Sequence, residues 1–155
     1  RYILHNAPPR PAMLAGRVGW FPLPLDVARM AAAAECLVGM HDFSSFRAAG
    51  CQSKTPVRLM HEARVSRQGD YLLFDFRANA FLHHMIRNLV GALVYVGKGR
   101  YPVEWMRELL EARDRTRAAP TFAPDGLYLC GVSYPPRWPL PGDGRIIALP
   151  QLPLV

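Results

Sequence analysis

Three observations in this 155-residue sequence predict an α+β domain. The first is a pair of period-2 runs, 57–66 and 72–78, joined by the turn Gln68-Gly69-Asp70, which reads as a β-hairpin. The second is a helical stripe on either side of that hairpin, over 26–38 and from Phe81 to about Tyr95. The third is a strand-like run near each end, Tyr2-Ile3-Leu4-His5 and Leu127-Tyr128-Leu129-Cys130-Gly131-Val132-Ser133-Tyr134. The resulting order is strand, helix, strand, strand, helix, strand. This is the ferredoxin-like βαββαβ plan, an antiparallel sheet with helices packed on one face, here with one extra helix before the last strand. The other sheet face is then open to a partner, although a fold by itself does not assign a function.

Each element has a local reason. The opening strand is stopped by Asn6-Ala7-Pro8-Pro9-Arg10-Pro11, where prolines remove backbone donors and fix the chain direction. Within the mixed residues 12–24, Gly19-Trp20-Phe21 reads as extended. Asp26 is placed to cap the first helix, Val27, Met30, Ala31, Ala34, Leu37 and Val38 form its apolar stripe, and Gly39 ends it. His41-Asp42-Phe43-Ser44-Ser45-Phe46-Arg47 is a compact turn. Phe43 and Phe46, three apart, either plug the core beneath it or serve a functional loop. In the hairpin, Val57, Leu59, Ala63 and Val65 form one inward set and Leu72, Phe74, Phe76 and Ala78 the other. Arg58, Arg64, Arg67 and Arg77 read as solvated arginines on its outer face. The Phe81 helix ends at Gly97-Lys98-Gly99, and a shorter helix over 103–112 carries Trp105, Leu109 and Leu110 on one side. Residues 1–134 form one domain in this reading, and 135–155 a Pro-rich extended tail.

Composition narrows the class. Half the residues are apolar and a fifth charged, as in an ordinary globular protein, and no apolar run approaches the about 20 residues of a membrane-spanning helix. A formal net charge of +7 favours a polyanionic partner such as nucleic acid. Cys36, Cys51 and Cys130 are widely spaced, which suggests neither a disulfide framework nor a CxxC metal site and points to a reducing cytoplasm. The chain opens on Arg1-Tyr2-Ile3-Leu4, which reads as the inside of a strand, so a fragment or a processed chain is expected.

The chemistry centres on Asn79-Ala80-Phe81-Leu82-His83-His84-Met85-Ile86-Arg87-Asn88. A helix apolar over most of its circumference is buried, yet Arg87 sits in it, with His83 one turn earlier and Gly91 one turn later. A buried guanidinium cannot shed its proton and needs an anion or a dense set of acceptors. Asp42 and Asp75 are candidate internal partners. The other possibility is an active-site arginine set to hold a catalytic carboxylate or a phosphate bidentately. His83 and His84 are about 100° apart on a helix and lack the His-Glu-x-x-His spacing, so no metal is expected. No Gly-rich phosphate loop opens a helix, so no nucleotide cofactor is expected either. A thiol nucleophile at Cys51 or Cys130 has no flanking motif behind it.

These stretches taken together resemble the C-terminal half of the bacterial tRNA pseudouridine synthase A family. The resemblance rests on Arg1-Tyr2-Ile3, on Leu37-Val38-Gly39 through Arg47, on Asn79 through Asn88, and on Asp114-Arg115 leading to Gly126-Leu127-Tyr128-Leu129 and Val132-Ser133-Tyr134, all in order. It implies an intramolecular transferase that converts uridine to pseudouridine in the anticodon stem-loop of tRNA without cofactor or metal, with tRNA as partner and a homodimer expected. It implies that an aspartate detaches the base and lets it rejoin through carbon. Arg87 matches the arginine that pairs with that aspartate, Leu127 a residue of the base pocket, and Phe81, His83 and His84 residues that line the site. The sequence departs from the pattern in two respects. The aspartate belongs to an Arg-Thr-Asp-Ala-Gly signature of the family's N-terminal half, which does not occur here. Of the family's Arg-x-Tyr-x-Tyr run only Arg1-Tyr2 is present, and Tyr2 matches the second tyrosine rather than the one contacting the base. Half an active site is therefore expected. The reading that competes with it is a non-catalytic RNA-binding domain with a basic sheet face.

Overall fold

The hairpin predicted from alternation is the middle of the sheet. In the computed structural model, which describes residues 1–134, β4 (Val57–Gln68) and β5 (Tyr71–Ala78) pair antiparallel along most of their length. Gly69 takes a φ of +56°, so a residue without a Cβ relieves the turn between them. β1 (Tyr2–His5) pairs antiparallel with β5, Tyr2 opposite Phe74 and Leu4 opposite Leu72. Two short strands lie at the edges. β2 (Gly19–Trp20) runs parallel to β1, and β3 (Gly39–Asp42) antiparallel to β4, giving the order β2-β1-β5-β4-β3. The sheet is thus mixed and not purely antiparallel, yet its centre keeps the ferredoxin-like arrangement.

Three helices complete the domain: α1 (Val27–Glu35), α2 (Met85–Gly97) and α3 (Trp105–Ala112). Met30, Ala33 and Ala34 of α1, Leu89, Leu93 and Val96 of α2, and Met106 and Leu109 of α3 share one core with Tyr2, Leu4, Leu72 and Phe74 of the sheet. Among the described residues, no helix is long and apolar enough to cross a membrane. Asp26 caps α1 as expected, its Oδ1 accepting from Arg29 N at 3.0 Å. Asp26→Ala is expected to cost about 0.5–2 kcal/mol, seen as a lower urea midpoint at unchanged m-value.

Several expectations need correction. The helix expected from Phe81 begins at Met85, because His84 adopts the left-handed conformation at φ +59°. Gly39 does not end α1, which stops at Cys36. At φ +114° it opens β3, a strand that composition alone hides because its residues are Gly, Met, His and Asp. The expected last strand over 127–134 is reduced to a single bridge, Leu127 to Tyr2. Ile3 N donates to Gly126 O at 2.9 Å and Tyr128 N to Arg1 O at 2.8 Å, so the segment still occupies the fourth-strand place beside β1. In β4 a register shift between Met60 and Glu62 reverses the inward set. Met60 is therefore buried while Val57 is 40% exposed. Arg58, read as solvated, is buried and donates to Thr55 O and Val57 O. Arg64 and Arg77 are exposed as expected. Phe43 and Phe46 are fully buried, which decides for the core plug. The expected extended tail, 135–155, lies outside the described residues.

Candidate active site

A cavity of about 460 Å³ opens between the end of β5, the 81–87 segment and the 127–131 segment. All five residues expected to line a site, Phe81, His83, His84, Arg87 and Leu127, line this one cavity. Phe76, Leu82, Met85, Ile86 and Leu129 add further apolar wall.

The left-handed residue His84 shapes its floor. Such a conformation costs an ordinary residue about 1–2 kcal/mol. Here it turns the chain just before α2 and brings the rings of His83 and His84 to a centroid separation of 3.9 Å. The expectation that adjacent histidines diverge assumed a helix that does not include them. The 48–51 loop pins the segment from below, with Ala48 N donating to His83 O at 3.1 Å and His83 N to Cys51 Sγ at 3.4 Å. The Ser53 backbone N–H, and after it this His83 contact, hold the Cys51 thiol below its ordinary range. Among the described residues, no three His, Cys, Asp or Glu side chains gather in metal-binding geometry.

Arg87 leaves the first turn of α2 only partly buried. Its Nε donates to Phe122 O at 2.8 Å, and Phe122 N returns a bond to Arg87 O at 3.2 Å. Neither expected internal partner takes it. Asp75 is held by Arg1 through Nε at 2.7 Å and Nη2 at 3.2 Å. Asp42 accepts from Ser44 N at 2.9 Å and lies 3.8 Å from Arg113 Nε. Among the described residues Arg87 forms no salt bridge, and the residue lines the cavity. The paired structural arginine is thereby ruled out for Asp42 and Asp75.

A family model described as tRNA pseudouridine synthase matches residues 33–135, about two thirds of the chain. The chain belongs to the tRNA pseudouridine synthase family. It is 70% identical over 155 residues to tRNA pseudouridine synthase A of Aromatoleum aromaticum, covering all of this chain and 59% of that protein. It is 57% identical over 145 residues to the protein of that name in Methylobacillus flagellatus, covering 94% of this chain and 56% of the relative. For the Thiobacillus denitrificans protein of that name the figures are 58% over 141 residues, 91% and 54%. The chain thus spans a little over half the length of these relatives.

The family segment contains all five cavity residues named above, whereas Arg1 and Tyr2 lie before it. Sequence reasoning missed two features of this cavity. One is Arg1, whose ion pair occupies Asp75. The other is the Phe122 carbonyl that orients Arg87. A backbone acceptor carries no side-chain signature, so only the flanking Pro120 and Pro124 hinted at a loop with a defined course.

The histidine pair makes a pH prediction. Desolvation, then the neighbouring His83 and Arg87, push the His84 imidazole below the ordinary 6.5. As pH falls through 6.5 the unfolded chain takes up its proton first, so the His84 contribution is lost on that side and fully present above it. In an NMR titration His84 is expected to change charge below the usual histidine value, and Arg87→Ala to move it upward. An unmoved titration would show that the Arg87 charge does not reach this ring.

Proposed function

We propose that residues 1–134 are the C-terminal catalytic-half domain of a tRNA pseudouridine synthase, an intramolecular transferase that isomerises uridine in the tRNA anticodon stem-loop. The observation that carries this reading is Arg87, a cation at an apolar cavity with no carboxylate of its own among the described residues. A catalytic aspartate brought by an N-terminal half would meet the Arg87 guanidinium there. An adjacent cation keeps such a carboxylate ionised at neutral pH, as covalent catalysis requires. Apolar walls reduce the screening between the two charges. Leu127 and Phe81, 39% and 40% exposed, offer apolar surface to a planar base, and His83 and His84 line the remaining side.

The isomerisation moves atoms within one nucleoside, with no net gain of atoms or electrons, so its stoichiometry calls for no cofactor. The partner is tRNA, in keeping with a net charge of +7. A homodimer working in the cytoplasm completes the proposal.

The competing reading, an RNA-binding domain that stacks bases on its sheet, is disfavoured by the aromatics. Phe74 is fully buried in the core, and Phe76, half-buried on the same side of its strand, packs against that core and lines the cavity, so neither belongs to the open sheet face. The test compares tRNA pseudouridine formation by residues 1–155 and by the protein expressed from its complete open reading frame. The longer protein is expected to modify tRNA and the 155 residues alone to be inactive. Full activity from the isolated chain would overturn the divided site. An inactive longer protein that still binds tRNA would favour the binding domain.

A further inference from the structure

The residues around Arg87 form a strap that the cavity itself does not explain. Segment 118–123 crosses the first turns of α2, and every anchor along it converges on the neighbourhood of Arg87. Phe122 exchanges two bonds with Arg87. Thr121 Oγ1 donates to Asn88 Oδ1 at 2.7 Å, and Asn88 is fully buried with its Nδ2 fixed on Phe46 O at 2.8 Å. Pro120 O lies so close to Gly91 that a Cβ there would stand 2.5 Å from it. The strap continues past Ala123, whose carbonyl accepts from Tyr2 Oη at 3.0 Å.

One side chain ties these anchors together. Arg115 Nη1 donates to Ala119 O at 2.9 Å, and Nη2 to Asn88 Oδ1 and Thr121 Oγ1, each at 3.1 Å. It forms no salt bridge among the described residues. An arginine fork that satisfies only neutral oxygens, three of them on one loop and its buried asparagine anchor, acts as a clamp and not as half of an ion pair. Asn88 Oδ1 accepts from both Arg115 and Thr121, so its two lone pairs are used and its rotamer is set.

We propose, resting on the function given above, that Arg115 is a positioning residue for Arg87. It holds strap 118–123 against Asn88, so that the Phe122 carbonyl aims the Arg87 guanidinium into the cavity. With the clamp gone the strap slackens, the acceptor of Arg87 Nε moves, and the guanidinium no longer sits where a carboxylate would meet it. A misplacement of about 1 Å at a reacting centre slows catalysis on the order of 10²-fold.

The test uses Arg115→Ala, Arg115→Lys and Thr121→Val in the protein expressed from its complete open reading frame. Arg115→Ala is expected to slow single-turnover pseudouridine formation about 10- to 100-fold while tRNA Kd stays within about twofold. Lysine, a point charge without the fork, is expected to restore only part of the rate. In an Arg87→Ala background, Arg115→Ala is expected to add less than about twofold, because residues acting as one unit are not additive. A full multiplicative loss in that background would overturn the proposal. So would a loss that appears in Kd alone. If Arg115→Ala does not fold, Thr121→Val must show a smaller loss with the same non-additivity, and an additive or absent effect overturns the assignment. Hydrogen exchange of the Arg87 Nε–H reads the clamp without any substrate. Arg115→Ala is expected to speed it at least about tenfold while the α2 backbone amides stay protected, and unchanged exchange would remove the positioning role even if tRNA were not the substrate.

Discussion

Arg87→Ala, in the protein expressed from its complete open reading frame, is expected to reduce pseudouridine formation on the order of 10²–10⁴-fold, with Arg87→Lys restoring a minor part. The magnitude follows from what is left behind. Removing one member of a desolvated ion pair strands the other charge, at about 3–5 kcal/mol, and each 1.36 kcal/mol is tenfold in rate. Arg87 suits the proposed role because Phe122 O takes only its Nε, at 2.8 Å, and its terminal nitrogens have no hydrogen-bond partner among the described residues of the cavity it lines. Lysine supplies charge but no planar fork of parallel donors, so it loses the bidentate geometry toward a carboxylate. The decisive measurement is kcat on tRNA at saturating substrate, with binding measured separately. A rate within a few-fold of wild type would remove Arg87 from the mechanism.

Gly126→Ala is expected to destabilise the domain by about 2–5 kcal/mol and to disturb the cavity wall at Leu127. Gly126 has a φ of +97°, a conformation in which a side chain costs about 1–2 kcal/mol. Its added Cβ would also press into Ile3 O and Gly19 N, where β1, β2 and the 126–128 segment meet. Overpacking of this kind adds about 1–3 kcal/mol, and backbone atoms cannot step aside as a flexible side chain can. The bond from Ile3 N to Gly126 O, at 2.9 Å, is the first to be lost. Gly50→Ala is the control, since nothing lies within 4 Å of its added Cβ. Urea denaturation should separate the two variants clearly. Equal stabilities would mean that the 126–128 segment does not depend on its approach to β1.

The hairpin, the first helix with its Asp26 cap, and the buried faces of the later helices were legible in the sequence, because each repeats a local period that burial imposes on side chains. The place of the candidate site was legible too. An arginine inside an apolar stripe is costly enough that it calls for an anion, and all five residues named from the signature line one cavity. Three things were decided by tertiary structure alone. His84 leaves the helical region because the 48–51 loop and the start of α2 hold it there, and a helical period cannot report an excursion of one residue. The shift of β4 between Met60 and Glu62 changes which side chains face inward, since one inserted residue reverses every later position on a strand. The surroundings of Arg87 depended on distant backbone. Asp42 and Asp75 remained plausible partners until Arg113 and Arg1 were seen beside them, and the Phe122 carbonyl that orients the guanidinium lies 35 residues away. Side-chain chemistry and period thus fix what Arg87 must be offered, whereas long-range packing fixes the direction in which it points.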